Sequence, residues 1–167
     1  MIQPFIIPIT TSHGEYYIKL TAIDPEIAVS RDCLYLYKDC TIYDILLACD
    51  RRDVFVDSEV LTRICSELQR VLELNPNIIL YFFCDDNSKN IRINNSNKNI
   101  SPQKYRSLLF SRLYERTLSK GNNNQYINKR YEVDMGTGEK QYIHLIYPEH
   151  LTKQASLLAS TIKEQTK

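Results

Sequence analysis

The chain has 167 residues, 43% of them hydrophobic and 25% charged, with 21 Lys and Arg against 20 Asp and Glu. This composition excludes a disordered, fibrous or membrane-embedded protein, and the length suffices for one domain, 1–167, to bury a core without disulfide or metal staples. The formal net charge of +1, taken whole, argues against a dedicated nucleic-acid or membrane binder.

The segment Met1 to Ile9 has no basic flank and is cut by Pro4 and Pro8, so it reads as no secretory signal. Phe5 to Thr11 and Tyr16 to Ile23 are predicted strands of a hairpin about Ser12-His13-Gly14-Glu15, where glycine supplies the positive φ such turns require. Pro8 has no N–H to donate and marks the first strand as a sheet edge. Cys33 to Tyr37 alternates Leu and Tyr, the pattern of a third strand. Thr41 to Cys49 fits either a helical stripe through Ile42, Ile45, Leu46 and Cys49 or a strand, and its short length favours the strand.

From Asp57 the period changes to 3.6, with Val60, Leu61, Ile64, Cys65, Leu68, Val71 and Leu72 on one face of a predicted helix. Asp57 or Ser58 caps it, Glu59 and Arg63 form an i, i+4 pair, and Asn75-Pro76 ends it. Asn77 to Cys84 is a short continuous apolar run, the mark of a strand buried on both faces at the centre of a sheet. The longest apolar run, Ile78 to Cys84, falls far short of the roughly 20 residues that span a bilayer. Residues 85–100, DDNSKNIRINNSNKNI, read as a polar loop.

Ser101-Pro102 opens a second helix, predicted to run to about Ser119, with apolar positions at Tyr105, Leu108, Leu109, Phe110, Leu113 and Leu118. After Gly121-Asn122-Asn123-Asn124, strands at Tyr126 to Asp134 and Gln141 to Tyr147 flank the hairpin loop Met135-Gly136-Thr137-Gly138. Pro148 opens a last helix with the stripe Leu151, Ala155, Leu158 and Ile162. The order predicts an α+β fold: a largely antiparallel sheet of six to seven strands with three helices packed mainly on one face.

Three pieces carry a resemblance: the aromatic strand ending in Cys84-Asp85, the helix segment Arg106-x-x-Leu109-Phe110, and Tyr142-Ile143-His144-Leu145-Ile146 leading into Tyr147-Pro148. With them, residues 54–167 resemble a family of small uncharacterised proteins seen mainly in Bacteroidetes. Where that family tends to show a further Asp and Arg after Cys-Asp, this chain has the longer Asn-rich loop, with Asp86 and Arg92 as counterparts. The resemblance implies the element order and a cytoplasmic location, and it carries no mechanism.

The cysteines, Cys33, Cys40, Cys49, Cys65 and Cys84, are odd in number and contain no C-x-x-C pair. They read as small buried hydrophobes in a reducing compartment, with no metal site and no cofactor implied. Asp85-Asp86, at the end of the apolar strand, is the one carboxylate pair placed to hold Mg²⁺ for a nuclease reaction, yet adjacent strand residues point to opposite faces. A Cys84–His144 thiolate–imidazole pair is a second candidate, with a packed thiol and a hydrogen-bonded or exposed imidazole as the plainer reading. No glycine-rich phosphate loop, G-x-S-x-G or H-E-x-x-H is present.

The charge map is the strongest signal. Residues 1–86 carry 7 basic and 14 acidic side chains, residues 87–130 carry 10 and 1, and residues 131–167 carry 4 and 5. The near-neutral total is therefore a cancellation. The basic ten are Lys89, Arg92, Lys98, Lys104, Arg106, Arg112, Arg116, Lys120, Lys129 and Arg130, with Tyr105, Tyr114 and Tyr126 interleaved as stacking groups. Such a segment fits a non-catalytic binding or regulatory module that contacts nucleic acid or an acidic protein. Against this stand three alternatives: pairing of these cations with the acidic N-terminal half, a charge-complementary homodimer, and the Mg²⁺-dependent nuclease.

Overall fold

The computed structural model describes residues 5–12, 14–49, 55–56, 58–84, 92–93, eight residues between 104 and 116, 126–134, 136, 138 and 140–165. The first two strands, β1 (Phe5–Thr11) and β2 (Gly14–Ile23), form the expected antiparallel hairpin, with Thr11 opposite Gly14. Gly14 takes φ 151°, a conformation L side chains rarely adopt, which is why glycine closes this turn.

The predicted strand at Cys33 to Tyr37 is a 3-10 helix, Arg31–Tyr37. It follows α1 (Pro25–Ala28), capped by the Asp24 carboxylate at the Glu26 N–H. The edge of β2 away from β1 is taken by β3 (Thr41–Cys49), which pairs Tyr16 with Cys49 and Ile23 with Ile42, so 31–37 does not extend the sheet beside β2. A threefold turn instead sends Tyr37 into the core, where its hydroxyl donates to the Gln154 carbonyl at 2.6 Å, and leaves Tyr35 72% exposed. The strand expected at 41–49 is present.

Helix α2 (Ser58–Leu74) buries every residue of the predicted stripe, and Asn75 closes it through its backbone and side-chain N–H groups to the Val71 carbonyl. The expected Glu59–Arg63 pair is present at 3.9 Å, too exposed to matter much for stability. Arg63 also donates from Nη1 to the Thr10 carbonyl. Counting from the Thr11–Gly14 pair, the peptide groups of Ile6, Pro8 and Thr10 face away from β2. Pro8 has no N–H and Thr10 is capped, so this edge is a poor template for another strand.

Two short strands, β4 (Phe55–Val56) and β6 (Arg92–Ile93), pair in parallel as a separate ladder. Strand β5 (Ile78–Cys84) lies centrally, parallel to β3 and antiparallel to β8 (Lys140–Pro148). Strand β7 (Tyr126–Asp134) completes the order β1-β2-β3-β5-β8-β7, in which β3–β5 is the one parallel contact. The eight described residues between 104 and 116 are all helical and are called α3; α4 (Thr152–Gln165) follows a short 3-10 turn, Glu149–Leu151.

The α+β class and the six-stranded, mostly antiparallel sheet are as expected. Helices cover both faces, however. Helix α2 and Tyr114 of α3 pack with Ile18, Leu20, Ile45, Leu80 and Ile146 on one side, while Ala155 and Leu158 of α4 pack with Ile42, Ile79, Ile143 and Leu145 on the other. The cause lies in β5 and β8, whose successive side chains are apolar in both directions, so each face needs its own cover.

Candidate functional site

Helix α3 is held over β7 and β8 by a chain of buried polar contacts. Ser107 and His144 are fully buried; Ser107 Oγ lies 2.7 Å from His144 Nε2, and His144 Nδ1 lies 3.0 Å from Asn128 Oδ1. In the neutral imidazole one ring nitrogen donates and the other accepts, so Ser107 and Asn128 together engage both. His144 sits opposite Arg130 on β7 and opposite Phe82 on β5. Burial, and secondarily the Arg130 charge, push its pKa down to about 4.

The Ser–His–Asn order matches the connectivity of acyl-transfer triads. Its setting does not match that work: nucleophile and imidazole are both closed to solvent, and the lowered basicity weakens the imidazole as a proton acceptor. What the arrangement does is satisfy two polar side chains inside an apolar interface and fix the position of α3. In the register of β5 and β8, Cys84 stands opposite Tyr142 and His144 opposite Phe82, and both ring nitrogens of His144 are engaged by Ser107 and Asn128.

The basic segment divides as follows. Lys104, Arg112, Arg116, Lys129 and Arg130 are described; Arg92 is placed as backbone in β6; Lys89, Lys98, Arg106 and Lys120 lie outside the described residues. Arg112 and Arg116 are exposed on the outward side of α3, opposite the buried Ser107 and Tyr114. Lys129 and Arg130, also exposed, lie on the neighbouring β7. Arg130 stands 5.4 Å from the Tyr142 ring centroid and Lys129 5.6 Å from that of Tyr131. Lys163 of α4 reaches the same Tyr131 ring at 4.9 Å. Glu132 is bound by Lys140 at 3.1 Å, which holds its carboxyl below the usual range together with the charges of Arg130 and Lys104.

Tyr114 is not a stacking group. It is fully buried beside Cys65 of α2, because it stands two helical turns beyond Ser107 on the inward side of α3. Tyr126 is half-buried against the same core, and Tyr105 lies outside the described residues. Asp85 and Asp86 also lie outside them, and among the described residues no three His, Cys, Asp or Glu are grouped to hold a metal ion. Cys40 and Cys65 are buried thiols, pushed up to about 11 and about 12 by desolvation, as packed cysteines are. No described helix is long and apolar enough to cross a membrane.

Sequence reading passed over Ser107, Asn128 and Lys163. Ser107 leaves one trace, a small polar residue on the inward line of a helix; Asn128 and Lys163 leave none, since their roles arise from pairings across elements. Comparison with protein-family models, curated proteins and solved structures gives no match.

Proposed function

We propose that the protein is a non-catalytic binding or regulatory module of the cytoplasm whose basic 87–130 segment contacts an anionic partner, nucleic acid first. The observation that carries this reading is the set of exposed cations on α3 and β7: Arg112 and Arg116 on the outward side of the helix, and Lys129 and Arg130 on opposite faces of the strand, the last two beside tyrosine rings. Exposed positive charge on both elements supports an anion-facing surface. Guanidinium and ammonium groups neutralise phosphates and release their counterions, while arginine planes also stack on bases.

The test is fluorescence anisotropy of labelled single-stranded RNA and duplex DNA titrated with protein at 50 mM salt. Binding is expected to weaken as salt rises, with a log–log slope of about −2 to −4 for three to five phosphate contacts. An Arg112→Gln/Arg116→Gln variant is expected to bind at least five-fold more weakly with its thermal transition unchanged. Absence of binding to either nucleic acid at low salt overturns the nucleic-acid reading.

A further inference from the structure

Strand β1 is the end strand of the sheet farthest from β7. On the side of the sheet that carries α4, the apolar cluster includes Ile42 of β3, packs against Ile23 of β2 and, among the described residues, takes nothing from β1. The cover therefore stops short of the β1–β2 hairpin. There the register sets Thr10 opposite Glu15, Pro8 opposite Tyr17 and Ile6 opposite Lys19, with Leu46 of β3 on the other flank of Lys19. Residues two apart on a strand share a face, so all of these lie on one surface. The six from the hairpin border a trough of about 430 Å³. Ile6 is 57% and Leu46 40% exposed, Pro8 is exposed and Tyr17 is half-buried. Along β2 this surface reads Glu15, Tyr17, Lys19, an aromatic ring centred between opposite charges.

We infer that this face docks a second copy of the chain, sheet on sheet, about a two-fold axis at Tyr17. The inference goes beyond the anion-binding reading and stands without it. Sheets that meet face to face keep their strands roughly aligned, and a two-fold axis between them either follows the strands or crosses them. An axis along β2 sets Lys19 on Lys19 of the second copy and Glu15 on its Glu15. An axis across β2 sets each Lys19 beside Glu15 of the second copy, twice over, while Tyr17 and Pro8 each meet their own counterparts. Charge therefore selects the crossing axis. Edge-to-edge pairing of β1 is the other route for a second copy, and Pro8 and the capped Thr10 carbonyl oppose it. Parts of three strands make a small interface, so the dimer is a weak one, with a dissociation constant of roughly 10–500 µM.

The experiment is sedimentation equilibrium of the full chain from about 5 to about 500 µM at low salt. The wild type is expected to pass from monomer towards dimer across that range. Lys19→Glu leaves β2 acidic at both places and Glu15→Lys leaves it basic at both, so each sets like charges together twice in its own dimer. Each is expected to self-associate at least about ten-fold more weakly. Mixed in equal amounts, the two variants restore opposite charges across the axis and are expected to associate within about three-fold of the wild-type affinity. Thermal melts establish that both variants are folded, and recovery in the mixture separates docking from folding. A wild type that stays monomeric throughout overturns the inference. So does a dimer that both single variants keep, and so do variants that stay apart when mixed. A dimer lost in Arg112→Gln/Arg116→Gln and kept in Lys19→Glu is held by the basic segment, and overturns it as well.

Discussion

Acidification tests whether the buried imidazole of His144 is the neutral fastening between α3 and the sheet. In the unfolded chain this histidine takes up a proton near its ordinary pKa of 6.5, whereas in the folded protein burial and Arg130 delay protonation until about pH 4. A depressed histidine pKa means the unfolded state binds more protons between these values. Its contribution to stability is thus complete above about pH 6.5, falls as the pH drops towards 4, and levels off below that. Between pH 7.5 and 4.5 the loss from this one group is on the order of 2–3 kcal/mol.

The control is His144→Gln, which reaches similar partners and does not titrate. At pH 7.5 it is expected to be less stable by about 1–3 kcal/mol, because Ser107 and Asn128 lose well-placed partners inside the interface. Urea unfolding of both proteins at pH 7.5, 6.5, 5.5 and 4.5 gives the difference directly, and the carboxylates common to both cancel. The wild-type advantage is expected to shrink by roughly 2–3 kcal/mol across this range. Parallel pH profiles, or an imidazole that titrates by NMR near 6.5 in the folded protein, would refute the reasoning.

Two further outcomes follow from the same structure. Incubation of RNA with the protein and Mg²⁺ is expected to leave the RNA intact, for wild type and for Asp85→Asn/Asp86→Asn alike; cleavage lost only in the double variant would establish the nuclease in place of the binding module. Pro8→Thr restores an outward N–H on the β1 edge, beside the 54% and 57% exposed Phe5 and Ile6. It is expected to raise concentration-dependent self-association in sedimentation velocity, and an unchanged profile would show that Pro8 does not guard this edge.

The residue pattern made most of the architecture legible. Periodicities of 3.6 at 58–74 and of 2 at 126–134, glycines at the hairpins and proline on the first strand are local signals, and each acts on neighbours a few residues apart. The segment 31–37 misled because Leu–Tyr alternation supports a strand only where it meets a ladder, and the position beside β2 is held by β3. Tyr114 misled for a related reason. A tyrosine among cations along the chain is not among them in space when the helix turns it inward.

By itself, then, the sequence determined the α+β class, the central β5, the stripe of α2 and the uneven charge of 87–130, because these depend on composition and short-range period. Only the tertiary structure decided that helices cover both faces, that Ser107, His144 and Asn128 meet across three elements, and that Lys163 joins Lys129 over Tyr131. The Ser107–His144 and His144–Asn128 contacts join residues 37 and 16 positions apart, and such pairings are set by how strands and helices pack, which no local pattern encodes.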